Sequence, residues 1–358
     1  MRKINFNSGP SMLPLEVLQH AVEGILNINN EGISVAEISH RSKLFKNILE
    51  EFIALIKELA NVHYSHEVLV MQGGARLQFA QIPMNFLSKE QTAAFIDTGY
   101  WANIAIEYAK YYGNTKIIAS SKKDDYLSIP KEIFAEKELN YLQITSNNTI
   151  YGSQFKTLPN VDIPMVIDMS SDIFSIQRNF DKIDFAFACA QKNIGPSGMS
   201  IAIIKKDFLQ KANKNIPPVF SFQNLVNHLS NYATPPVVNV YISLLNMRWL
   251  KAQGGVMEIE NKNHEKAKIL YDEIDRNSLF ENKISTDNRS TMNVCFFAKD
   301  ENIENKFLVF CNEQNIVGIK GHKAVGGLRA SIYNAQRLDN VLFLVNTLKE
   351  FEEKNINN

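Results

Sequence analysis

Short, continuous apolar runs mark the first two thirds of the chain. Most are followed by a glycine or polar turn and then by a helical spacing. "EVLVMQGG", ending at Gly74, predicts a strand and glycine turn, with "ARLQFAQIPMNFL" as the helix that follows. "TAAFIDTG" predicts a strand and "YWANIAIEYAKYYG" a helix closed by Gly113. "KIIAS", "LQITS", "MVIDMSS", "FAFACAQ" and "MSIAII" predict further strands, the last two joined by a short glycine-rich connection. Runs that are apolar throughout suit strands covered on both faces. Their alternation with helices predicts an α/β fold built on a mainly parallel sheet.

The pattern changes after "TPP" at Thr234. "VVNVYISLLNMRWLKAQGG" predicts a helix with a glycine stop, and "MEIENKNHEKAKILYDEIDRN" a long connecting helix. Then follow "NVCFFA", a helix over "ENKFLVFCNEQ", strands at "IVGIKG" and "GLRASIYN", and a terminal helix from Leu338. This second pattern predicts a smaller α+β domain of residues 1–15 and 261–358, beside a large domain of residues 16–260.

The composition narrows the function. Lys+Arg and Asp+Glu both number 38 in 358 residues, so no net charge favours nucleic acid or an anionic membrane, and any charge at a substrate site is local. Cys189, Cys295 and Cys311 are widely spaced, form no metal-ligand pattern and read as buried thiols of a reducing compartment. The start of the chain lacks the apolar run of a signal peptide, and no stretch has the length of a membrane span. The expectation is a soluble, cytoplasmic protein without a metal.

In an open α/β sheet, ligands bind beyond the carboxyl ends of the strands. The residues delivered there are therefore the candidate chemistry. Gly73, Gly74, Ala75 and Arg76 open a helix, which suits either an anion on backbone N–H groups or a tight packing turn. Trp101 suits the core or the face of a flat ligand. Thr149 is a turn residue or a ligand contact. Asp168 ends an apolar run, where it caps a helix or holds a cation or protonated ring nitrogen. Gln191 and Lys192 end another run, and a lysine there needs a partner or a shifted pKa. Together these residues offer an anion cradle, a flat stacking surface, a carboxylate and a lysine. Pyridoxal phosphate needs one of each: the cradle for its phosphate, the carboxylate for its ring nitrogen, and the lysine for its aldehyde.

"NFNSGPSMLP", "EISHRSKLF", "QGGARLQFAQIPMN", "DTGYWAN", "AQKNIGPSG", "TPP" and "KGHKAVGGLRASIYNA" occur in an order that resembles the phosphoserine aminotransferases, which are fold-type I pyridoxal-phosphate enzymes with an aspartate-aminotransferase-like fold. The resemblance covers nearly the whole chain. It implies amino transfer between glutamate and 3-phosphohydroxypyruvate, with a parallel role on 3-hydroxy-2-oxo-4-phosphonooxybutanoate. It implies that Lys192 is the Schiff-base lysine, that Asp168 pairs with the ring nitrogen, that Trp101 stacks on the ring and that Thr149 bonds the ring hydroxyl. Ala75, Arg76 and Gln191 would hold the cofactor phosphate. Thr234 would reach that phosphate from a second subunit, so a homodimer with shared sites is implied. Arg329 matches the arginine for the substrate α-carboxylate, Ser8 a substrate contact, and His40, Arg41, His322 and Lys323 the pocket for the distal anion.

Three positions depart from the pattern. Ala233 stands where an asparagine would donate to the cofactor phosphate, Lys323 stands for an arginine, and Leu77 for a glycine. Among rivals of the same fold, a cysteine desulfurase needs a nucleophilic cysteine on a loop, and all three cysteines fall in predicted regular elements. An alanine- or serine-glyoxylate aminotransferase has no distal phosphate to bind with "SHR" and "KGHK". A non-catalytic binding protein of this fold would not need the full set of catalytic residues.

Overall fold

The computed structural model describes residues 2–62 and 64–356. Strands β1 (Ile4–Asn5), β2 (His66–Gln72), β3 (Thr92–Asp97), β4 (Asn114–Ser120), β5 (Leu142–Thr145), β6 (Met165–Asp168), β7 (Phe185–Cys189) and β8 (Met199–Lys205) are followed by β9 (Phe280–Glu281), β10 (Asn293–Ala298), β11 (Ile316–Val317) and β12 (Leu328–Ser331). The helices are α1 (Leu15–Asn27), α2 (Lys43–Leu59), α3 (Ala75–Phe86), α4 (Tyr100–Ala109), α5 (Lys206–Leu209), α6 (Phe222–Asn227), α7 (Val237–Ala252), α8 (Gly255–Arg276), α9 (Glu301–Glu313) and α10 (Leu338–Ile356).

Seven strands form one sheet in the order β2-β8-β7-β6-β5-β3-β4. Only β8 runs against its neighbours, pairing antiparallel with both β2 and β7. The connection from β7 to β8 is too short for the crossover that parallel pairing requires, which a dozen or more residues usually provide. The expected mainly parallel sheet is therefore present, and β8 marks its one reversal.

The two sheet faces bury alternate residues of the same strands. Val68 and Val70, Ile167, Ala186, Ala188, Ile201 and Ile203 pack with α1, α2 and α7. Leu69, Met71, Val166, Phe185, Phe187, Ala202 and Ile204 pack with α3 and α4. This period of two within wholly buried strands is why the runs read as continuously apolar. Phe187, fully buried, meets Phe79 of α3 edge-on with centroids 6.0 Å apart. Phe187→Ala is expected to destabilise the fold by about 3–5 kcal/mol, since the cavity left in the sheet core cannot collapse fully. A chemical denaturation midpoint checks this; a loss under about 1 kcal/mol would mean that the helix layer repacks freely.

A third apolar cluster joins Phe6, the second half of α8, β9–β12, α9 and α10. Within it β10 pairs antiparallel with β12 and β9, and β1 pairs parallel with β11. Two expectations need correction. "IVGIKG" forms only the two-residue β11, because Gly318 (φ +83°) brings the chain against Asn7: a Cβ there would stand 2.4 Å from the Asn7 amide nitrogen. In addition, α1 and α2 lie outside the elements expected. For α2 the signal is present, with Phe45, Ile48, Leu49, Phe52, Leu55 and Ile56 buried at helical spacing and the Ser42 side chain accepting from the Phe45 amide at 3.2 Å. Among the described residues no helix is long and apolar enough to cross a membrane.

Candidate active site

The carboxyl ends of β2, β3, β5, β6 and β7 open onto a cavity of about 360 Å³, within the usual range for a small-molecule site. Its lining includes Ala75, Arg76, Trp101, Thr149, Asp168, Gln191 and Lys192, seven of the residues singled out from sequence.

At the end of β2, Gly73 adopts φ +82°, and its N–H donates to the Gly198 carbonyl at 3.0 Å. This turn aims the first N–H groups of α3 at the cavity, and those groups have no partner within the helix. One of them is taken: the Ala75 N–H donates to Cys189 Sγ at 2.9 Å. Sequence reasoning assigned that N–H to an anion and did not foresee the thiol. Trp101 stands in the first turn of α4 with its indole Nε1 buried and without a partner among the described residues. The Arg76 guanidinium lies 5.8 Å from the centroid of the Trp101 ring.

Asp168 closes β6. One of its carboxylate oxygens accepts from the Ser170 N–H at 2.9 Å. Burial pushes its pKa up, opposed by the Ser170 hydrogen bonds and the positive charge of Lys192. A cation placed against this carboxylate would tip the balance back to the ionised form. Lys192 sits just beyond β7, with Nζ donating to Thr149 Oγ1 at 3.1 Å. Its turn is fixed from the N-terminal segment: Ser11 Oγ donates to the Lys192 carbonyl at 2.6 Å, and the Ser11 N–H to the Gln191 carbonyl at 2.9 Å. Gly9 lies so close that a Cβ would meet the Gln191 and Lys192 side chains at 3.3 and 3.5 Å.

Arg329, on β12, reaches this site from the third cluster. Nη2 donates to Ser8 Oγ at 2.8 Å and Nη1 to the Thr149 carbonyl at 3.3 Å, while its buried Nε has no partner among the described residues. A buried unpaired donor is costly and suits an incoming anion. His322 packs against Tyr100 at 5.4 Å, and Tyr100 against Trp101 at 5.2 Å, both between ring centroids. Burial, with Arg329 and Lys323 nearby, holds the His322 pKa below its usual value.

The other predicted residues stand apart from this cavity. The His40 carbonyl accepts from Asn231 Nδ2 at 2.9 Å, and the Thr234 carbonyl accepts from Gln72 Nε2. Ala233 and Leu77 line a separate, smaller cavity of about 110 Å³. His40, Arg41, Ala233 and Thr234 thus lie on the turn before α2 and the loop before α7. Among the described residues no hydrogen bond or ring contact joins them to His322, Lys323 or Arg329. Sequence reasoning missed Tyr100, Asn147, Ser170 and Cys189, whose placement depends on long-range packing. Asn147 Nδ2 donates to Ser171 Oγ and Asn293 Oδ1, each at 2.8 Å, tying the loop after β5 to the turn after β6 and to β10.

All three cysteines are buried. Burial pushes the Cys189 thiol up and takes Cys295 and Cys311 to about 12, so none is activated as a nucleophile. Among the described residues no group of His, Cys, Asp and Glu could hold a metal ion.

The residues present fit pyridoxal phosphate. The helix N-terminus and Gln191 suit a phosphate, the buried Asp168 has no ion-pair partner within contact distance among the described residues, and Lys192 is held at the cavity by Thr149. Comparison with known proteins agrees with this. The family model for aminotransferase class-V matches residues 4–344. A phosphoserine aminotransferase of Flavobacterium psychrophilum is 44% identical over 99% of this chain and 100% of its own. The solved phosphoserine aminotransferase of Bacillus circulans subsp. alkalophilus superposes with a TM-score of 0.96 at 38% identity, covering 99% of each chain. That of Trichomonas vaginalis, solved with pyridoxal phosphate bound, superposes at 0.92 with 34% identity over 97% of this chain and 100% of its own. The chain thus belongs to the class-V aminotransferases and, within them, to the phosphoserine aminotransferases, whose cofactor is pyridoxal 5′-phosphate.

Proposed function

We propose that the protein transfers an amino group reversibly between L-glutamate and 3-phosphohydroxypyruvate, giving 2-oxoglutarate and O-phospho-L-serine, and that the same site accepts 3-hydroxy-2-oxo-4-phosphonooxybutanoate. The observation that carries this reading is the meeting of Lys192, Asp168 and Trp101 in one cavity with Arg329 at the Thr149 edge. In this reading residues 16–260 form the domain that holds the cofactor, and residues 1–15 with 261–358 form the domain that supplies Ser8 and Arg329.

Pyridoxal phosphate, when bound, supplies an electron sink that makes the substrate α-proton removable. Asp168 would hold the proton on the ring nitrogen, and Trp101 would cover the ring face. Arg76 and Gln191 would hold the phosphate. Lys192 would hold the cofactor, and its Nζ would take up the substrate α-proton and give it back in the reverse half-reaction, with Thr149 orienting the amine. Arg329 orients the α-carboxylate by its fork, aligned by Ser8. His322 and Lys323 face the distal anion, which is a phosphate in one half-reaction and a carboxylate in the other.

We infer further that the working form is a homodimer. His40, Arg41, Ala233 and Thr234 share an exposed corner, beside the half-exposed Leu77 and Tyr232, away from the cavity they are expected to serve. A second copy docking there would bring that corner to its neighbour's site.

Arg329→Lys is expected to lower kcat/KM for glutamate and for O-phosphoserine alike by about 1.5–3 kcal/mol, because charge survives but the bidentate bond does not. A defect confined to phosphoserine would place Arg329 on the distal anion instead. The function itself is tested by product analysis. The cofactor-loaded protein, given glutamate and 3-phosphohydroxypyruvate, is expected to form O-phosphoserine and 2-oxoglutarate in equal amounts. Preferential amination of pyruvate or glyoxylate would contradict the proposal.

A further inference from the structure

Lys266, in the middle of α8, is 2% exposed and has no carboxylate among its hydrogen-bond partners. Its Nζ donates to the carbonyls of Ile332 at 3.1 Å, Tyr333 at 2.9 Å and Gln336 at 3.0 Å, which uses all three donors of an ammonium. Burial, with Lys262 nearby, draws its pKa down to about 7. A buried charge is a poor device for stability alone, since a well-packed apolar residue usually serves as well or better. The segment that it grips gives the reason for its presence.

Residues 332–336 directly follow β12, which carries Arg329. Two routes lead from this loop into the active site. The Asn334 N–H donates to Asn193 Oδ1 at 3.1 Å, and Asn193 is the neighbour of Lys192. The Tyr333 hydroxyl donates to the Ser8 carbonyl at 2.7 Å, and Ser8 Oγ accepts from Arg329. A second side chain of α8 grips the same loop, with Asn263 Nδ2 donating to Asn334 Oδ1 at 2.9 Å. The far side of the Lys192 turn is held by Asn246 of α7, whose Nδ2 donates to the Asn193 and Ile194 carbonyls at 2.9 Å each.

We propose that Lys266 is a positioning residue for transamination: by clamping the 332–336 loop to α8 it sets the spacing between the substrate-carboxylate arginine, Arg329, and the cofactor lysine, Lys192. This rests on the function proposed above. The clamp touches neither substrate nor cofactor. It fixes the loop from which both Asn193 and Ser8 are held, so losing it loosens the two ends of the substrate site relative to each other.

The test is Lys266→Met in the cofactor-loaded protein, with steady-state kinetics, cofactor absorbance and thermal unfolding measured together. The variant is expected to keep its cofactor and to raise KM for glutamate and O-phosphoserine alike by about tenfold, with a smaller change in kcat, as a misplaced binding group does. Combined with Arg329→Lys, the loss is expected to be less than the product of the two single losses, because both act on one interaction. A lowered thermal midpoint with unchanged KM values would overturn the proposal and leave Lys266 a purely structural residue. If Lys266→Met does not fold, Asn334→Ala spares the three carbonyls and removes the loop's side-chain links, to Asn263 of α8 and to the Phe174 carbonyl. It is expected to raise both KM values in the same way, and unchanged values would overturn the proposal. A parent protein that reacts with neither amino acid would refute the proposed function; a reacting parent matched by its variants would refute only the positioning role.

Discussion

Lys192→Ala is expected to lose transamination by more than about 10⁴-fold, because in the proposed function the anchor for the cofactor and the proton carrier are one amine. The fold is expected to survive. Lys192 is only half-buried, and its side chain makes one hydrogen bond, to Thr149, so its removal costs about 1 kcal/mol or less. The cofactor is expected to remain bound through its phosphate but to be removable by dialysis and to escape covalent capture by borohydride. Turnover and borohydride capture measured on the same preparation check both halves of this prediction. Turnover near that of the parent would remove Lys192 from the chemistry.

Asp168→Asn is expected to lower kcat by about 100- to 1,000-fold, the range seen when one preorganised electrostatic group is deleted from an active site. A neutral amide cannot hold the ring nitrogen protonated, so the electron sink weakens. A second effect is read without activity. In the cofactor-free chain, burial raises the folded pKa of Asp168 above its unfolded value. The native state then binds more protons than the unfolded one. The stability this gives is fully present below the unfolded pKa and is lost as pH rises through the folded pKa. At neutral pH the parent therefore carries a buried carboxylate under strain to ionise, and the amide variant does not. Cofactor-free Asp168→Asn is expected to unfold at higher denaturant than the cofactor-free parent at neutral pH, with the gap closing in acid. A parent that is the more stable of the two at neutral pH would mean that Ser170 and Lys192 already satisfy the charge.

The strands were legible because β5, β6 and β7 are buried on both faces and so carry unbroken apolar runs. Their ends were legible as chemistry because a buried sheet has little other reason to finish in Asp168 or Lys192. The resemblance then supplied roles that position alone left open, as for Trp101 and Thr149. What the chain did not disclose depends on distant partners. Nothing around Cys189 indicates that its sulfur would face the Ala75 N–H, 114 residues earlier. Nothing in "KAKILY" marks Lys266 as the clamp on a loop that begins 66 residues later. His40 and Arg41 illustrate the same point: their types suit an anion, while their position is set by Asn231, 191 residues away from His40. Hydrogen bonds between side chains and distant backbone have no period, so hydrophobic patterning cannot reveal them.

In the proposed function one site discharges an amino acid bearing a distal anion, through Lys192, Asp168 and Arg329. It is tested most directly by adding single amino acids to the cofactor-loaded protein, without an oxo acid, and following cofactor absorbance through one half-reaction. Glutamate and O-phosphoserine are each expected to convert the cofactor to its aminated form, while alanine and serine at equal concentration leave it unchanged. Conversion by alanine or serine with none by O-phosphoserine would contradict the account.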